Sequence, residues 1–268
     1  MSADAGTHAA ALAYLDRDPT LNVFLTYVLN GNFSSSYRKS VFVTRDDGEV
    51  TGVAYCGRQI VIAAEPQAIP AFAAHIAARG PVRSLIGVRT VIAALWPLVA
   101  ARLGSPRLVR DRQLVMEVSR STLKQIVGPV GVRHAVMNEA RVVAESSATM
   151  IAQELEYDPR RATSSFEAGV RQMIEHKLWW VGESSGRLCF FCNVGPWSDR
   201  TAQLQGIWTP PDLRGQGLAT AALSAICGRL LEVFPTLSLY VNDFNERAIA
   251  LYRRTGFAHA GDFTTIVF

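Results

Sequence analysis

Two glycines behind a strand-like run are the residues whose type and spacing most clearly allow chemistry. The run over 202–209 has a strand pattern, Pro210 and Pro211 end it, and Gly215 and Gly217 precede a long helical pattern. Because glycine has no side chain, the backbone N–H groups of such a loop can face an anion at the positive end of a helix dipole. The stretch predicts a pyrophosphate-binding loop made of Arg214, Gly215, Gln216, Gly217, Leu218 and Ala219.

Other phosphate-binding loops have patterns that this stretch lacks. A dinucleotide-binding fold needs a further glycine and an acidic residue after the next strand. A P-loop ends in Gly-Lys-Ser/Thr. Ordinary strand–helix turns also contain Gly-x-Gly, so the loop by itself does not define a function.

A second patterned segment, residues 239–257, follows the loop. It contains, at regular intervals, Asn242, Asn245, Ala248, Tyr252, Gly256 and Phe257. Together the two segments resemble both signatures of the GNAT superfamily of N-acetyltransferases, Arg/Gln-x-x-Gly-x-Gly/Ala and Asn-x-x-Asn-x-x-Ala-x-x-x-Tyr-x-x-x-Gly-Phe. The resemblance is firm over residues 203–257 and extends back to residue 132. The whole chain is similar to a two-domain group whose N-terminal half is a degenerate GNAT-like domain.

The resemblance implies an acetyl-CoA site at the glycine loop. In this superfamily the strand before the loop separates from the next parallel strand, and the pantetheine of acetyl-CoA lies in the gap. Backbone groups of Ile207, Trp208 and Thr209 would bind the pantetheine amides and polarise the thioester carbonyl. Asn245 would hydrogen-bond the cofactor from the start of its helix, although an asparagine there can also serve only as a helix N-cap.

Tyr252 is the residue to which the resemblance assigns chemistry. A phenol near the cofactor sulfur can protonate the departing thiolate. Tyr252 would then be the catalytic acid and also a cofactor contact. A tyrosine next to Leu251 in a helical pattern is otherwise typical of core packing.

The strand before the loop offers no general base for the attacking amine. Gln203 and Gln205 lie where some relatives carry a glutamate, and an amide cannot accept the proton. We expect Glu154 to act as the base, because it ends a helix near which the superfamily builds its acceptor pocket. The other candidates are Glu156, Asp158, His134, His176 and a water relay. A solvated charge cluster at the helix end is the alternative interpretation.

The order of elements predicts an α/β fold with one mixed sheet flanked by helices. Residues 41–50 repeat the hairpin pattern of residues 179–188, which indicates a second, GNAT-like domain in the first half. We therefore divide the chain into a degenerate GNAT-like domain, residues 1–120, and a GNAT acetyltransferase domain, residues 130–268. The residues between them are expected to be a linker.

The first half shows no counterpart of the glycine loop. After its third predicted strand the sequence over 64–68 is Ala-Glu-Pro-Gln-Ala, which offers no phosphate cradle. We expect one acetyl-CoA site per chain. The first half would shape the acceptor pocket, mediate dimerisation, or serve only in packing.

Composition limits the class of protein. Of 268 residues, 49% are hydrophobic and 19% charged, enough for one large or two ordinary domains. The net charge of +4 contains no long basic run, so we expect no nucleic-acid partner. The apolar window over 91–101 is too short to span a membrane, and Asp4 does not fit a secretion signal. A cytoplasmic protein without a membrane partner is expected.

Four cysteines are too few for a disulfide scaffold. Cys189 and Cys192 lie in a strand-like run, where residues three apart are expected on opposite faces. No second Cys or His pair follows at zinc-site spacing. The sequence therefore predicts no metal site.

These observations predict an N-acetyltransferase that moves an acetyl group from acetyl-CoA to a primary amine by direct attack in a ternary complex. The alternatives are a catalytically reduced acyl-CoA-binding or regulatory module and a tandem-GNAT aminoacyl-tRNA-dependent transferase. The acceptor has no motif, so the expected partner is a small-molecule or protein amine. The sequence also leaves open whether the chain forms a homodimer.

Overall fold

The β-strands of the protein form one continuous mixed sheet. The computed structural model describes residues 5–31, 40–155, 158–162 and 166–268. Within these residues the strands are β1 (Val41–Asp46), β2 (Glu49–Cys56), β3 (Gln59–Ala64), β4 (Ser84–Val88), β5 (Leu108–Ser119), β6 (Gly131–His134), β7 (Trp179–Ser184), β8 (Arg187–Trp197), β9 (Thr201–Trp208), β10 (Thr236–Asn242) and β11 (Ala258–Val267). Their order across the sheet is β1-β2-β3-β4-β11-β5-β10-β9-β8-β7-β6. The predicted mixed α/β fold is confirmed.

Helices cover both faces of this sheet. They are α1 (Ala5–Leu15), α2 (Pro19–Leu29), α3 (Ile69–Ala77), α4 (Arg89–Leu103), α5 (Ala140–Leu155), α6 (Pro159–Ala162), α7 (Phe166–Glu175), α8 (Leu218–Leu230) and α9 (Glu246–Thr255). Successive strand residues alternate between faces, so Phe190 packs with α8 while Phe191 packs with α5 and α7. Face A carries α3, α4, α8 and α9, and face B carries α1, α2, α5 and α7. None of the described helices is long and apolar enough to span a bilayer.

The two halves of the chain exchange strands at the centre of the sheet. Strand β11 lies between β4 and β5, where Val267 pairs with Ser84 on one side and with Leu108 on the other. Strand β5 pairs along its other edge with β10, from Thr236↔Ser119 onward. Each half therefore completes the sheet of the other. The division of the chain into two domains at residues 120–130 stays a prediction. Strands from both sides of this division belong to the same sheet.

The predicted linker is bound along the helices of the second half. The N–H of Ile126 donates to Ser224 Oγ at 2.9 Å, and that hydroxyl donates to the carbonyl of Lys124 at 2.8 Å. The N–H of Lys124 donates to the carbonyl of Thr255 at 3.0 Å. The segment thus fixes α8 and α9 relative to β5.

The path of this linker explains why residue 256, in the second patterned segment, is a glycine. Gly256 ends α9 in the left-handed region, with φ 104°. A Cβ at this position would lie 2.1 Å from the carbonyl oxygen of Thr122. Only glycine allows the linker backbone to cross here, which explains the residue independently of any cofactor.

One part of the fold was not anticipated from the sequence. Helices α1 and α2 had no counterpart among the predicted elements. Helix α2 is buried around much of its circumference, so its sequence lacks the one-sided apolar pattern that marks a surface helix.

The expectation that Cys189 and Cys192 point to opposite faces is wrong. Gly182 pairs with Phe190 and Glu183 with Leu188, so Cys189 is an extra residue in β8. This bulge brings both thiols into the same core on face A. Burial raises the pKa of both thiols. Among the described residues, no group of three or more His, Cys, Asp or Glu side chains is arranged to hold a metal ion.

Candidate functional site

A gap opens between β9 and β10 at their C-terminal ends. The two parallel strands pair only from Thr236↔Thr201 to Ser238↔Gln203, although β9 continues to Trp208. The corresponding strands of the first half, β3 and β4, pair from Gln59↔Ser84 to Ile62↔Gly87. A separation of the kind expected for a pantetheine is therefore present in the second half, and β3 and β4 stay joined.

The glycine loop lies directly beyond this gap. A 3₁₀ turn, Pro211–Leu213, leads from β9 to the loop, and Gly217 is the N-cap of α8. Gly215 and Gly217 have φ of 78° and 77°, which is the left-handed region that favours glycine. A Cβ on either residue would meet nothing within 4 Å, so the loop borders open space.

The backbone of the loop fits an anion. None of the N–H groups of residues 215–219 donates to an acceptor within the described chain. They stand at the start of α8, a helix of 13 residues, where the dipole favours negative charge. Consecutive free donors at a helix N-terminus are the arrangement that holds a pyrophosphate. The shape and the electrostatics of the predicted cradle therefore suit a pyrophosphate. The cradle consists of Arg214, Gly215, Gln216, Gly217, Leu218 and Ala219.

Arg214 is held beside the gap by contacts of its own. Its Nε donates to the carbonyl of Thr209 at 3.0 Å, and its guanidinium stacks 4.5 Å from the ring centre of Trp208. The side chain is exposed, so its remaining N–H groups face solvent at the loop. Arg187 anchors the turn from the other side by an ion pair with Asp212 at 2.8 Å.

The strand residues expected to bind pantetheine line the gap. Trp208 pairs with Phe191 of β8, and residues 206–208 have no partner in β10. The backbone edge of Ile207, Trp208 and Thr209 that faces β10 is therefore available to a ligand within the described structure. Their role as cofactor contacts stays a prediction.

Asn245 acts as the N-cap of α9. Its Oδ1 accepts from the N–H of Ala248 at 3.2 Å. The fold-supporting role that the sequence left open is thus present. Its side-chain N–H groups have no acceptor within the described residues, which leaves them for the predicted cofactor contact.

Tyr252 is buried on α9, with 7% of its surface exposed. Its hydroxyl makes no hydrogen bond to a described residue. Burial, and then the charge of Glu154, raise the pKa of Tyr252 above its ordinary value. The phenol is therefore fully protonated at neutral pH, as an acid must be.

Glu154 lies in the last turn of α5 and borders a cavity of about 540 Å³ on face B. Part of the residue stays exposed, yet the surrounding walls desolvate the carboxylate and raise its pKa, while the charge of Arg110 opposes this. Tyr240 of β10 lines the same cavity, and the charge of Glu154 contributes to raising its pKa after burial. The negative charge of Glu154 thus contributes to raising the pKa of both Tyr240 and Tyr252.

The other candidate bases are less well placed. His134 lies on the edge strand β6, far across the sheet from the gap, and stacks on Trp180 at 3.9 Å. His176 is exposed after α7. Asp158 pairs with Arg160 at 2.8 Å. Glu156 lies outside the described residues.

The glutamines on β9 bind each other. Gln205 Nε2 donates to Gln203 Oε1 at 2.8 Å. Both lie on face B beside the end of the β9–β10 pairing. They can orient a neighbour by hydrogen bonding and cannot take a proton, as the sequence indicated.

The sequence interpretation missed the residues that the first half adds to the cavity. Arg58, Arg83 and Phe24 line it together with Glu154 and Tyr240. No local motif marks these residues, because the exchange of β5 and β11 brings distant segments together. The only sequence signal was the mild excess of positive charge.

The first half carries a carboxylate where the second has its glycine loop. Glu65 follows β3 and pairs with Arg17 at 3.0 Å, and Gln67 donates to the same carboxylate at 2.8 Å. This side chain presents acceptor oxygens where the glycine loop presents backbone N–H donors. The geometry agrees with the expectation of a single cofactor site, which stays a prediction.

Family models match two adjacent parts of the chain. Residues 145–257 match the Acetyltransferase (GNAT) family. Residues 40–143 match a domain of unknown function, DUF4081. A curated relative named mycothiol acetyltransferase, from Acidimicrobium ferrooxidans, is 39% identical over 82 residues. That match covers 29% of this chain and 26% of the relative, so it spans about a quarter of the relative's length.

Solved structures share the fold over nearly the whole chain. A Drosophila protein superposes with a TM-score of 0.70 at 12% identity, covering 99% of this chain and 97% of its own. A GNAT-family acetyltransferase from Colwellia psychrerythraea has a TM-score of 0.61 at 13% identity, covering 100% and 98%. A tandem GNAT protein from the clavulanic acid biosynthesis pathway has a TM-score of 0.50 at 14% identity, covering 98% and 95%.

The family match falls on the segment that contains the gap, the glycine loop and Tyr252. The fold neighbours extend the likeness to the first half, whose strands belong to the same continuous sheet. Residues 145–257 thus match the acetyltransferase (GNAT) family, and a second domain precedes them in the chain.

Proposed function

We propose that this protein is an N-acetyltransferase that uses acetyl-CoA to acetylate a primary amine in a ternary complex. The observation that carries the proposal is the coincidence of two features in the second half: β9 and β10 separate after Gln203 and Ser238, and the free N–H groups of residues 215–219 stand at the end of that gap. The name of the curated relative agrees with acetyl transfer.

Strand β9 and the glycine loop would bind acetyl-CoA along one side of the gap. Residues 214–219 would hold the pyrophosphate by backbone N–H groups and the Arg214 charge. The free edge of Ile207, Trp208 and Thr209 would bind the pantetheine and orient the thioester carbonyl. Bound acetyl-CoA would supply the acetyl group as an activated thioester.

The transfer needs two proton movements, which the proposal assigns to two side chains. The amine nitrogen forms a bond to the carbonyl carbon, the carbon–sulfur bond breaks, and CoA leaves as a thiol. Glu154 takes the proton that the amine loses, directly or through a water molecule. Tyr252 gives its proton to the sulfur and regains one from solvent, so the products are the amide and free CoA.

The protonation states of Glu154 and Tyr252 are electrostatically coupled, and the coupling would assist the transfer. Burial first, and the negative charge of Glu154 second, raise the pKa of Tyr252. When Glu154 accepts the amine proton, that charge disappears and the phenol becomes a stronger acid. The same burial that affects Tyr252 would also raise the pKa of the departing thiol and favour its protonation.

The test is a screen of primary amines with acetyl-CoA, following release of free CoA thiol and the mass of the acetylated product. We expect at least one amine to accelerate thiol release above the slow hydrolysis seen without amine. If CoA binds by calorimetry but no amine class yields an acetylated product, the domain is a binding module and the proposal is wrong.

A further inference from the structure

The cavity on face B has walls from both halves of the chain. Its 540 Å³ lies in the range of sites for small molecules. Glu154 of α5 and Tyr240 of β10 form the wall next to the predicted acetyl-transfer site. Arg58 and Arg83, from the first half, form the wall beyond β4.

The backbones of the two arginines in this wall are joined, and both side chains are exposed. The N–H of Arg83 donates to the carbonyl of Arg58 at 2.6 Å, which joins the two segments at the backbone. Neither guanidinium has an ion pair or hydrogen-bond partner within the described residues. Five N–H donors per guanidinium are thus open toward a ligand.

Arg110 adds a third positive charge between these walls. Its terminal nitrogen donates to the carbonyl of Glu154, and the group stacks 4.9 Å from the ring centre of Phe244. Its Nε is buried and has no hydrogen-bond partner among the described residues. An unsatisfied buried donor is costly, so a ligand acceptor at this point would be stabilising.

The floor of the cavity is polar and fixed. Gln113 donates to Asn242 Oδ1 at 3.1 Å and accepts from Thr265 Oγ1 at 2.6 Å. These contacts join β10, β5 and β11 beneath the cavity. The floor therefore keeps the acidic and the basic wall at a constant separation.

We propose that the acceptor is a small amine that also carries an anionic group, a carboxylate or a phosphate, bound by Arg58 and Arg83. The inference rests on the proposed function, because it places the amine of that substrate at Glu154. A substrate with positive charge alone would face Arg58, Arg83 and Arg110 against one carboxylate. An anionic group removes this repulsion and forms charge-assisted hydrogen bonds with the guanidinium forks.

Matched probes test the charge preference without requiring catalysis. Calorimetry compares 6-aminohexanoate with 6-aminohexanamide, in which an uncharged amide replaces the carboxylate, and phosphoethanolamine with ethanolamine, which lacks the phosphate. The protein is the full chain, with and without saturating CoA. We expect at least one probe with an anionic group to bind roughly ten-fold or more tightly than its partner without that group. The two pairs distinguish a carboxylate from a phosphate.

Variants locate the effect. R58Q/R83Q should remove most of that preference and leave CoA affinity unchanged. The matched control is R141Q/R171Q, which removes the same charge from exposed positions where each arginine pairs with a glutamate four residues away. The control should keep the preference.

The outcomes separate this inference from the proposed function. Equal affinity for probes with and without the anionic group, or no binding of either probe with that group at millimolar concentration, overturns the inference even if amines that lack an anionic group are acetylated. A preference that R58Q/R83Q does not change also overturns it. A preference lost in R58Q/R83Q, with no acetylated product from any amine, supports the anion site and contradicts the proposed function.

Discussion

The carboxylate of Glu154 lies close enough to Tyr252 for its charge to help raise the pKa of the phenol, although the two residues belong to helices on opposite faces of the sheet. Helix α5 brings Glu154 to face B, and α9 brings Tyr252 from face A. Beyond Ser238 the strands β9 and β10 no longer pair. In the proposed mechanism the acid, Tyr252, therefore comes from one face of the sheet and the base, Glu154, from the other.

Tyr252→Phe should slow the transfer step and leave acetyl-CoA binding unchanged. The ring keeps its packing in the core, while loss of a general acid lowers kcat by about a hundred-fold or more. Stopped-flow or steady-state thiol release gives kcat, and calorimetry gives the affinity for acetyl-CoA. A parallel loss of affinity would make Tyr252 a binding residue, and unchanged kcat would make it structural.

Glu154→Gln should lower kcat by about a hundred-fold and change its pH dependence. A base works deprotonated, so wild-type activity should rise with pH through a pKa that burial holds above the ordinary glutamate value. The variant should lose that limb and keep any limb that belongs to the amine itself. The control is Glu145→Gln, on the same helix, where the carboxylate pairs with Arg141 at 3.0 Å. A pH profile shared by wild type and Glu154→Gln would exclude Glu154 as the base.

Gly217→Glu should weaken CoA binding by at least ten-fold. The new carboxylate would stand in the phosphate cradle, and a side chain at φ 77° adds strain of about 1–3 kcal/mol. Gly48→Glu is the matched control, since Gly48 has φ 85° and open space around it in the β1–β2 turn. Calorimetry on both folded variants separates the effects. Equal CoA affinity in the two variants would contradict the loop assignment.

CoA should bind with a stoichiometry of one per chain. The strands of the first half stay paired, and Glu65 occupies the position of the loop. Calorimetry at saturation, with protein concentration set by absorbance, measures the ratio directly. A ratio near two would show that the first half has a cofactor site of its own.

Ile266→Ala should destabilise the protein by roughly 2–5 kcal/mol, because Ile266 is buried in the face A core of the first half. Val109→Ala is the control: Val109 pairs with Ile266 across β11 and β5 and is 49% exposed. Chemical denaturation followed by circular dichroism measures both. A small loss for Ile266→Ala would show that β11 contributes little to the first half.

The sequence predicted the parts of the site that depend on local chemistry. Gly215, Gly217 and Asn245 are identifiable because a left-handed turn and a helix cap each demand particular residue types at one place in the chain. The patterned segment over 239–257 contains the end of β10 and the whole of α9. Local pattern and local structure coincide here.

The rest could not be predicted because it depends on long-range pairing. Nothing in the sequence near Val267 indicates that it pairs with Ser84, so the arginine wall of the cavity had no signal. The Cys189 bulge reversed a face assignment that a regular strand would have obeyed. Helix α2 is buried on too many sides to show a one-sided pattern.

The exchange of β5 and β11 also sets the order in which the protein can form during synthesis. The edges of β4 and β5 that accept β11 are synthesised long before β11, because Ser84–Val88 and Leu108–Ser119 precede Ala258–Val267 in the chain. Until then the emerging first half exposes two strand edges that can pair with other chains. The closing contacts join segments far apart in sequence, a topology that folds slowly. A nascent chain that has not yet reached β11, or a truncated chain that lacks it, would therefore be prone to pair with other chains through both edges.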